Sequence, residues 1–113
     1  MAIRCDEYND VCVVTLDGDL SGDAGAALRR AADERIEQKR TVDFVIDLSK
    51  AGFIDSAGLE SLLWLKRRCE ETFGRVKLAA AGETCRKILE ITRLDHRLEC
   101  HPDLPMALRT MRT

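Results

Sequence analysis

The segment Val42–Leu48 constrains the fold more than any other stretch, because it carries Phe44-Val45-Ile46 without a polar break. A strand with one face in water alternates polar and apolar residues. An unbroken apolar run of strand length instead suits a central strand covered on both faces. The short link Ser49-Lys50-Ala51-Gly52 follows, then Phe53-Ile54-Asp55-Ser56, and helical spacing begins there and continues to about Thr72. A strand thus delivers the hydroxyl of Ser56 to the first turn of a helix, with the carboxylate of Asp55 beside it.

The rest of the chain builds around that strand. Ile3 and Cys5 alternate with polar residues, Tyr8-Asn9-Asp10 offers a turn, and Val11-Cys12-Val13-Val14-Thr15-Leu16 is strongly β-forming, which together read as a hairpin. Asp17-Gly18-Asp19 ends the second strand. Ser21 is placed to cap a helix whose Ala24, Ala27, Leu28, Ala31, Ala32 and Ile36 recur at helical spacing. The alanines let that helix lie close to the sheet, and Lys39-Arg40 suit the negative end of its dipole.

In the helix from Ser56 to Thr72, Leu59, Leu62, Leu63, Cys69 and Phe73 fall on one face with the stem of Lys66. Trp64 falls on the opposite face, near Glu60, Arg67 and Arg68, and Gly74 stands where a C′ glycine would end the helix. Arg75–Ala79 reads as a half-buried strand. Glu83–Thr92 reads as a helix with Cys85, Ile88 and Leu89 inward, followed by Leu94 under a turn and a short strand Leu98–Cys100. Asp103 caps a last helix with Pro105 in its first turn and Met106, Leu108 and Met111 as apolar contacts. The order β-β-α-β-α-β-α-β-α predicts one α/β domain over residues 1–113, with a mixed sheet and helices packed against it.

Composition narrows the function. A chain 45% hydrophobic and 34% charged is an ordinary globular protein, and a net charge of −2 gives no basic stripe for nucleic acid. Arg67-Arg68 lie beside Glu70-Glu71, the pattern of a solvated helix face. The five cysteines, Cys5, Cys12, Cys69, Cys85 and Cys100, are widely spaced with no CxxC pair. They read as small buried hydrophobes in a reducing cytoplasm rather than a disulfide framework or zinc site. His96 and His101 have no acidic partner at ligand spacing, so neither a metal nor another cofactor is expected. No run approaches the ~18 apolar residues of a membrane span, and Met1-Ala2-Ile3-Arg4 is not a signal peptide.

Catalysis finds little support. The chain has no GxSxG elbow, no GxxxxGK[ST] loop and no HExxH. A Ser56 triad would need His96 or His101, neither with an orienting carboxylate, and nothing builds a pocket around Asp47 and Asp55. Asp47 as a phosphoacceptor lacks the acidic pair after the first strand and the late-strand lysine of a receiver domain.

Two readings of Ser56 remain, and both can hold. It is a good N-cap with Asp55 complementing the helix dipole, and it stands where a helix N-terminus receives anions. A phosphate there would add about −1.5 to −2 charges, which the helix amides could accept while a partner docked over the loop was repelled. Trp64 is either an exposed anchor for a partner or a dimer, or is covered by the third helix or the C-terminal segment.

The residues Phe44-Val45-Ile46-Asp47-Leu48-Ser49-Lys50-Ala51-Gly52-Phe53-Ile54-Asp55-Ser56-Ala57-Gly58-Leu59 resemble the signature of the STAS domain, as found in bacterial anti-sigma factor antagonists. Leu16-Asp17-Gly18-Asp19-Leu20 is similar to the family's Leu-x-Gly-acidic-Leu element, and Arg86–Leu94 resembles its third helix and turn. The resemblance implies a mixed four- to five-stranded sheet with four helices packed mainly on one side.

It also implies that Ser56 is the serine phosphorylated by a partner anti-sigma factor, a serine kinase, and reset by a protein phosphatase. The unphosphorylated antagonist would bind the anti-sigma factor and free a sigma factor. Asp55, Ala57 and Gly58 match the docking loop, and Gly18, Asp19 and Ser21 match the adjacent loop. Many members have aspartate where this chain has Ser21, so no acidic contact is implied there. The protein would be a cytoplasmic, non-enzymatic binding module, a monomer or weak homodimer, without nucleic-acid contact or membrane insertion. The family's other soluble roles are the alternatives: a subunit of a phospholipid-transport ATPase of the ABC type, or a stressosome-type scaffold component.

Overall fold

The computed structural model describes residues 2–111, so the expected domain bounds at Met1 and Thr113 lie outside the described residues. It contains strands β1 (Ala2–Tyr8), β2 (Val11–Asp17), β3 (Asp43–Lys50), β4 (Val76–Ala79) and β5 (Glu99–His101). The helices are α1 (Ala24–Lys39), α2 (Ser56–Glu70), α3 (Glu83–Ile91) and α4 (Leu104–Thr110), with a 3₁₀ turn at Leu94–His96. The sheet runs in the order β1-β2-β3-β4-β5, with β1 antiparallel to β2 and every other pair parallel. The apolar run of β3 therefore occupies the middle of the sheet, as expected.

The hairpin is closed by Asn9 (φ 49°) and Asp10 (φ 69°), both left-handed. That geometry matches the strand twist, and short polar Asn and Asp tolerate it. The two faces of the sheet are covered unequally. Cys12, Val14, Leu16, Phe44, Ile46, Leu48 and Leu78 pack with the core residues of α1, α2 and α3. Val11, Val13, Val45 and Ala79 pack with Ala107 and Met111 of α4. Three helices lie on one face and one on the other, which is why the alternating residues of β2 and β3 are apolar in both phases.

Several elements differ from expectation. Helix α1 begins after Asp23, and no side chain caps it, so Ser21 is not its cap; the Ser21 carbonyl instead accepts from Ala24 N at 3.0 Å. The buried arc of α2 includes Gly58, Ser61 and Leu65 as well as Leu59, Leu62 and Cys69. The arc is turned toward α1, where Gly25 approaches so closely that an added Cβ would lie 2.5 Å from Ser61 Oγ. Phe73 lies beyond the end of α2 and is 98% exposed, with φ 61°. Phe73, not Gly74, takes the left-handed position, and Gly74 is required because any Cβ there would overlap the Val42 carbonyl.

Strand β4 is buried throughout rather than by halves, because α4 covers its second face. Lys77 is accommodated there by ion pairing to Glu99 at 2.8 Å and by donation to Thr110 Oγ1 at 2.8 Å. On α4, Ala107 is the buried contact, and Met106 is exposed. Cys12, Cys69 and Cys85 are buried, but Cys5 is only half-buried and Cys100, on the edge strand β5, is exposed.

Candidate functional site

The parallel strands β2 and β3 deliver two loops to the same end of the sheet, and backbone bonds stitch these together. Gly18 N donates to Lys50 O at 3.1 Å, Leu20 N to Phe53 O at 2.9 Å, and Asp55 N to Leu20 O at 3.1 Å. Leu20 and Ile54 form an isolated parallel bridge, and both are buried to within 2% exposure. Burying Leu20 and Ile54 holds the ends of the two loops down, while their neighbours in the extended chain face outward. Phe53 is 45% exposed for that reason.

Asp55 joins the two loops a second time. It is the N-cap of α2 in extended conformation, with Oδ1 accepting from Gly58 N at 2.8 Å and Oδ2 from Gly22 N at 2.9 Å. The amides of Gly22 and then Gly58 hold its carboxyl below the usual carboxylate range. The expectation that Ser56 caps the helix is therefore corrected by one residue. Asp and Ser are comparably good caps, and the carboxylate, with two acceptor oxygens, serves the helix and the neighbouring loop at once. Ser56 is the first residue of α2 and is exposed, as is Ala57.

Gly58 is buried, and a Cβ at this position would overlap the Leu20 carbonyl and lie 2.9 Å from Leu20 Cγ and 3.0 Å from Ile54 Cγ2. Glycine here is what lets α2 start against the bridge. Gly18 takes φ 124°, Asp19 is exposed with Oδ1 facing Gly52, and Ser21 is half-buried. Gly22, which sequence reading passed over, has φ 57° and presents its amide to Asp55. The structure thus gathers Gly18, Asp19, Ser21, Asp55, Ser56, Ala57 and Gly58 at one end of the sheet.

Trp64 stands apart, eight residues along α2 or roughly 12 Å along its axis. It is half-buried, and the Arg29 guanidinium of α1 lies 5.6 Å from its ring centroid. Arg29 Nε donates to Ser61 Oγ at 3.2 Å, and Ser61 Oγ donates to Ala57 O at 3.0 Å. A polar line therefore runs from the tryptophan to the first turn of α2. The histidines lie on other partners: His101 Nε2 is 2.6 Å from Glu99, and His96 Nε2 is 3.9 Å from Asp95. Asp47 accepts from Ser49 N at 2.9 Å, a local turn contact. Among the described residues no three His, Cys, Asp or Glu side chains are grouped to hold a metal, and no helix is long and apolar enough to cross a membrane.

The STAS domain family model matches residues 2–107. Three solved structures illustrate the likeness. A Thermotoga maritima protein assigned as an anti-sigma factor antagonist superposes with a TM-score of 0.91 at 17% identity, covering 98% of this chain and 95% of that one. An anti-sigma factor antagonist from Mycobacterium paratuberculosis gives 0.82 at 26% identity, covering 99% and 94%. The Bacillus cell-fate determinant SpoIIAA in its phosphorylated form gives 0.76 at 22% identity, covering 98% and 100%. The five-stranded mixed sheet and its four helices are the arrangement these proteins share with this chain.

Proposed function

The chain belongs to the STAS domain family, and we propose that it is an anti-sigma factor antagonist switched by phosphorylation of Ser56. The observation that carries the reading is the division of labour at the start of α2: Asp55 fastens two loops into one surface, and Ser56 stands exposed on it. In its unphosphorylated state the surface of Gly18, Asp19, Ser21, Phe53, Asp55, Ser56 and Ala57 docks an anti-sigma factor serine kinase, and a sigma factor is freed. Trp64 and the arginine above it extend that surface along α2. A phosphatase restores the docking state, and the exchange takes place in the cytoplasm.

The placement of Asp55 changes how the switch works. The Gly58 amide is already held by the carboxylate, so a phosphate on Ser56 does not find an open amide cradle there. About −1.5 to −2 added charges instead face outward beside an ionised carboxylate. A partner closing over the surface would have to desolvate both charges together, and burying charges without compensating partners is unfavourable. Release then follows without any change in the fold.

The experiment pairs the purified protein with a candidate anti-sigma kinase and ATP. Intact mass should rise by one phosphoryl group, Ser56→Ala should not gain it, and only the unphosphorylated form should retain the kinase on a column. Equal retention of both forms would sink the switch. Recovery of a transport ATPase, with Ser56→Ala fully active, would move the protein to the transporter-subunit role.

A further inference from the structure

Away from the docking loops, the β1–β2 hairpin brings two thiols together. Cys5 lies opposite Val14 and Cys12 opposite Glu7, so the two cysteines are diagonal neighbours on the sheet face that packs against α1. Cys12 is 1% exposed, and half-buried Cys5 opens into the groove between β1 and α1 lined by Ile3, Ala27, Arg30 and Arg35. The strand register sets their side chains side by side on that face. Arg35 reaches from α1 and donates to the Cys5 carbonyl at 3.2 Å, which fixes a guanidinium beside the thiol.

We propose that Cys5 is an oxidant-sensitive thiol of the folded domain, attacked by hydroperoxides, with Cys12 as its resolving partner. Low-pKa, accessible cysteines next to a second thiol are the ones that oxidise selectively. The neighbouring Cys12 thiol holds the Cys5 thiol down to about 7; Arg35 acts in the same direction, while burial, Asp6 and Glu34 oppose it. Cys12, conversely, is pushed up, first by the neighbouring Cys5 thiol and then by burial. Cys100 is the more exposed residue, but its sulfur turns back onto the Leu98 carbonyl at 3.4 Å, and burial raises its pKa.

The chemistry balances with the hydroperoxide as the only oxidant. The Cys5 thiolate attacks the terminal peroxide oxygen, the O–O bond breaks, and the leaving hydroxide or alkoxide takes a proton, which leaves Cys5 as a sulfenic acid. The Cys12 sulfur then attacks the Cys5 sulfur, the S–O bond breaks, and the Cys12 proton departs with the hydroxyl as water. The dithiol loses two electrons and the peroxide gains them. Diagonal Cα atoms in an antiparallel pair lie roughly 7–8 Å apart, and a disulfide reaches to about 6.8 Å. Closure therefore needs a shift of about an ångström in β1, which is hydrogen-bonded to the sheet on one side only.

The test is limited hydrogen peroxide on the reduced, folded protein with a sulfenic-acid trap, followed by peptide mapping. The first product expected is an intramolecular Cys5–Cys12 disulfide, and in Cys12→Ala a trapped sulfenic acid on Cys5. At pH 7 iodoacetamide should alkylate Cys5 at least about fivefold faster than Cys100, after the lower nucleophilicity of a low-pKa thiolate is allowed for. The wild-type map decides the matter by itself if Cys12→Ala fails to fold. A first product on Cys100, a disulfide between chains, or a Cys5 that stays reduced would overturn the proposal.

Discussion

Replacing Gly58 by alanine isolates what the proposed docking surface requires. In an ordinary helix interior Gly→Ala stabilises by about 0.8–1 kcal/mol, because glycine sacrifices the most backbone freedom on folding. At Gly58 the new methyl would overlap the Leu20 carbonyl and press on Leu20 Cγ at 2.9 Å and Ile54 Cγ2 at 3.0 Å. One of these obstacles is backbone, and the two side chains are at most 2% exposed, so none can swing into solvent. Overpacking of this kind costs about 1–3 kcal/mol, and since the contact is to a carbonyl the upper half of that range applies. After the propensity gain the net loss is about 1–2 kcal/mol. For 113 residues the unfolding entropy near 60 °C makes that a fall in Tm of roughly 4–8 °C. Thermal and urea unfolding measure it, with Gly82→Ser as the contrast. Gly82 is the N-cap of α3, nothing lies within 4 Å of its added Cβ, and serine there should gain a few tenths of a kcal/mol. A neutral or stabilised Gly58→Ala would refute the claim that α2 is seated directly on the Leu20–Ile54 bridge.

Ser56→Glu should keep or raise Tm, since an acid in the first turn gains about 0.3–1 kcal/mol from the helix dipole. It should also lose anti-sigma binding by calorimetry, so the signs for stability and affinity diverge. Asp55 is held below its ordinary pKa of 3.8, so its contribution is full above that value and is lost as pH falls through the lower folded-state pKa. Urea midpoints taken from pH 7 down to pH 2 should therefore fall less steeply for Asp55→Asn than for wild type. A residual slope should remain from Glu99, which Lys77 and then His101 lower in the same way. Leu62→Ala, at a fully buried position on α2, should cost about 3–5 kcal/mol by denaturant titration. Arg29→Ala should move Trp64 emission to the red at a stability cost of about 1 kcal/mol or less, because the guanidinium over the ring is the contact removed.

What the sequence made legible was set by period and by short-range chemistry. The unbroken Phe44-Val45-Ile46 run placed β3 at the centre, Asn9-Asp10 closed the hairpin, and Asp103 capped α4 through Met106 N at 2.8 Å. The errors fell where a second element decided the outcome. A single-helix projection could not know that α1 packs at Gly25, so Leu65 and Ser61 were missed and the face was extended to Phe73. Strand β4 read as half-buried because α4 lies far along the chain. At the site, local pattern located the loop but could not choose between adjacent caps, since the deciding contact, Gly22 N to Asp55, spans 33 residues.

That one-residue difference bears on whether a switch can sit here at all. A serine that caps a helix gives its oxygen to a backbone amide, and a phosphate on that oxygen would have to replace or break the bond. The fold would then change stability each time the site was modified. Here Asp55 supplies both bonds, one to the helix and one to the neighbouring loop, and Ser56 Oγ has no place in that pair. A phosphate on Ser56 would thereby be separated from folding: the loops would stay joined and only the charge on their surface would change. The cost of such a modification would then fall on the proposed partner's binding rather than on the domain, and the two can be told apart by measuring both on the same variants. If Asp55→Ala frayed the surface while Ser56→Ala left stability and docking intact, the division would hold. Equal losses from both would return the cap to Ser56.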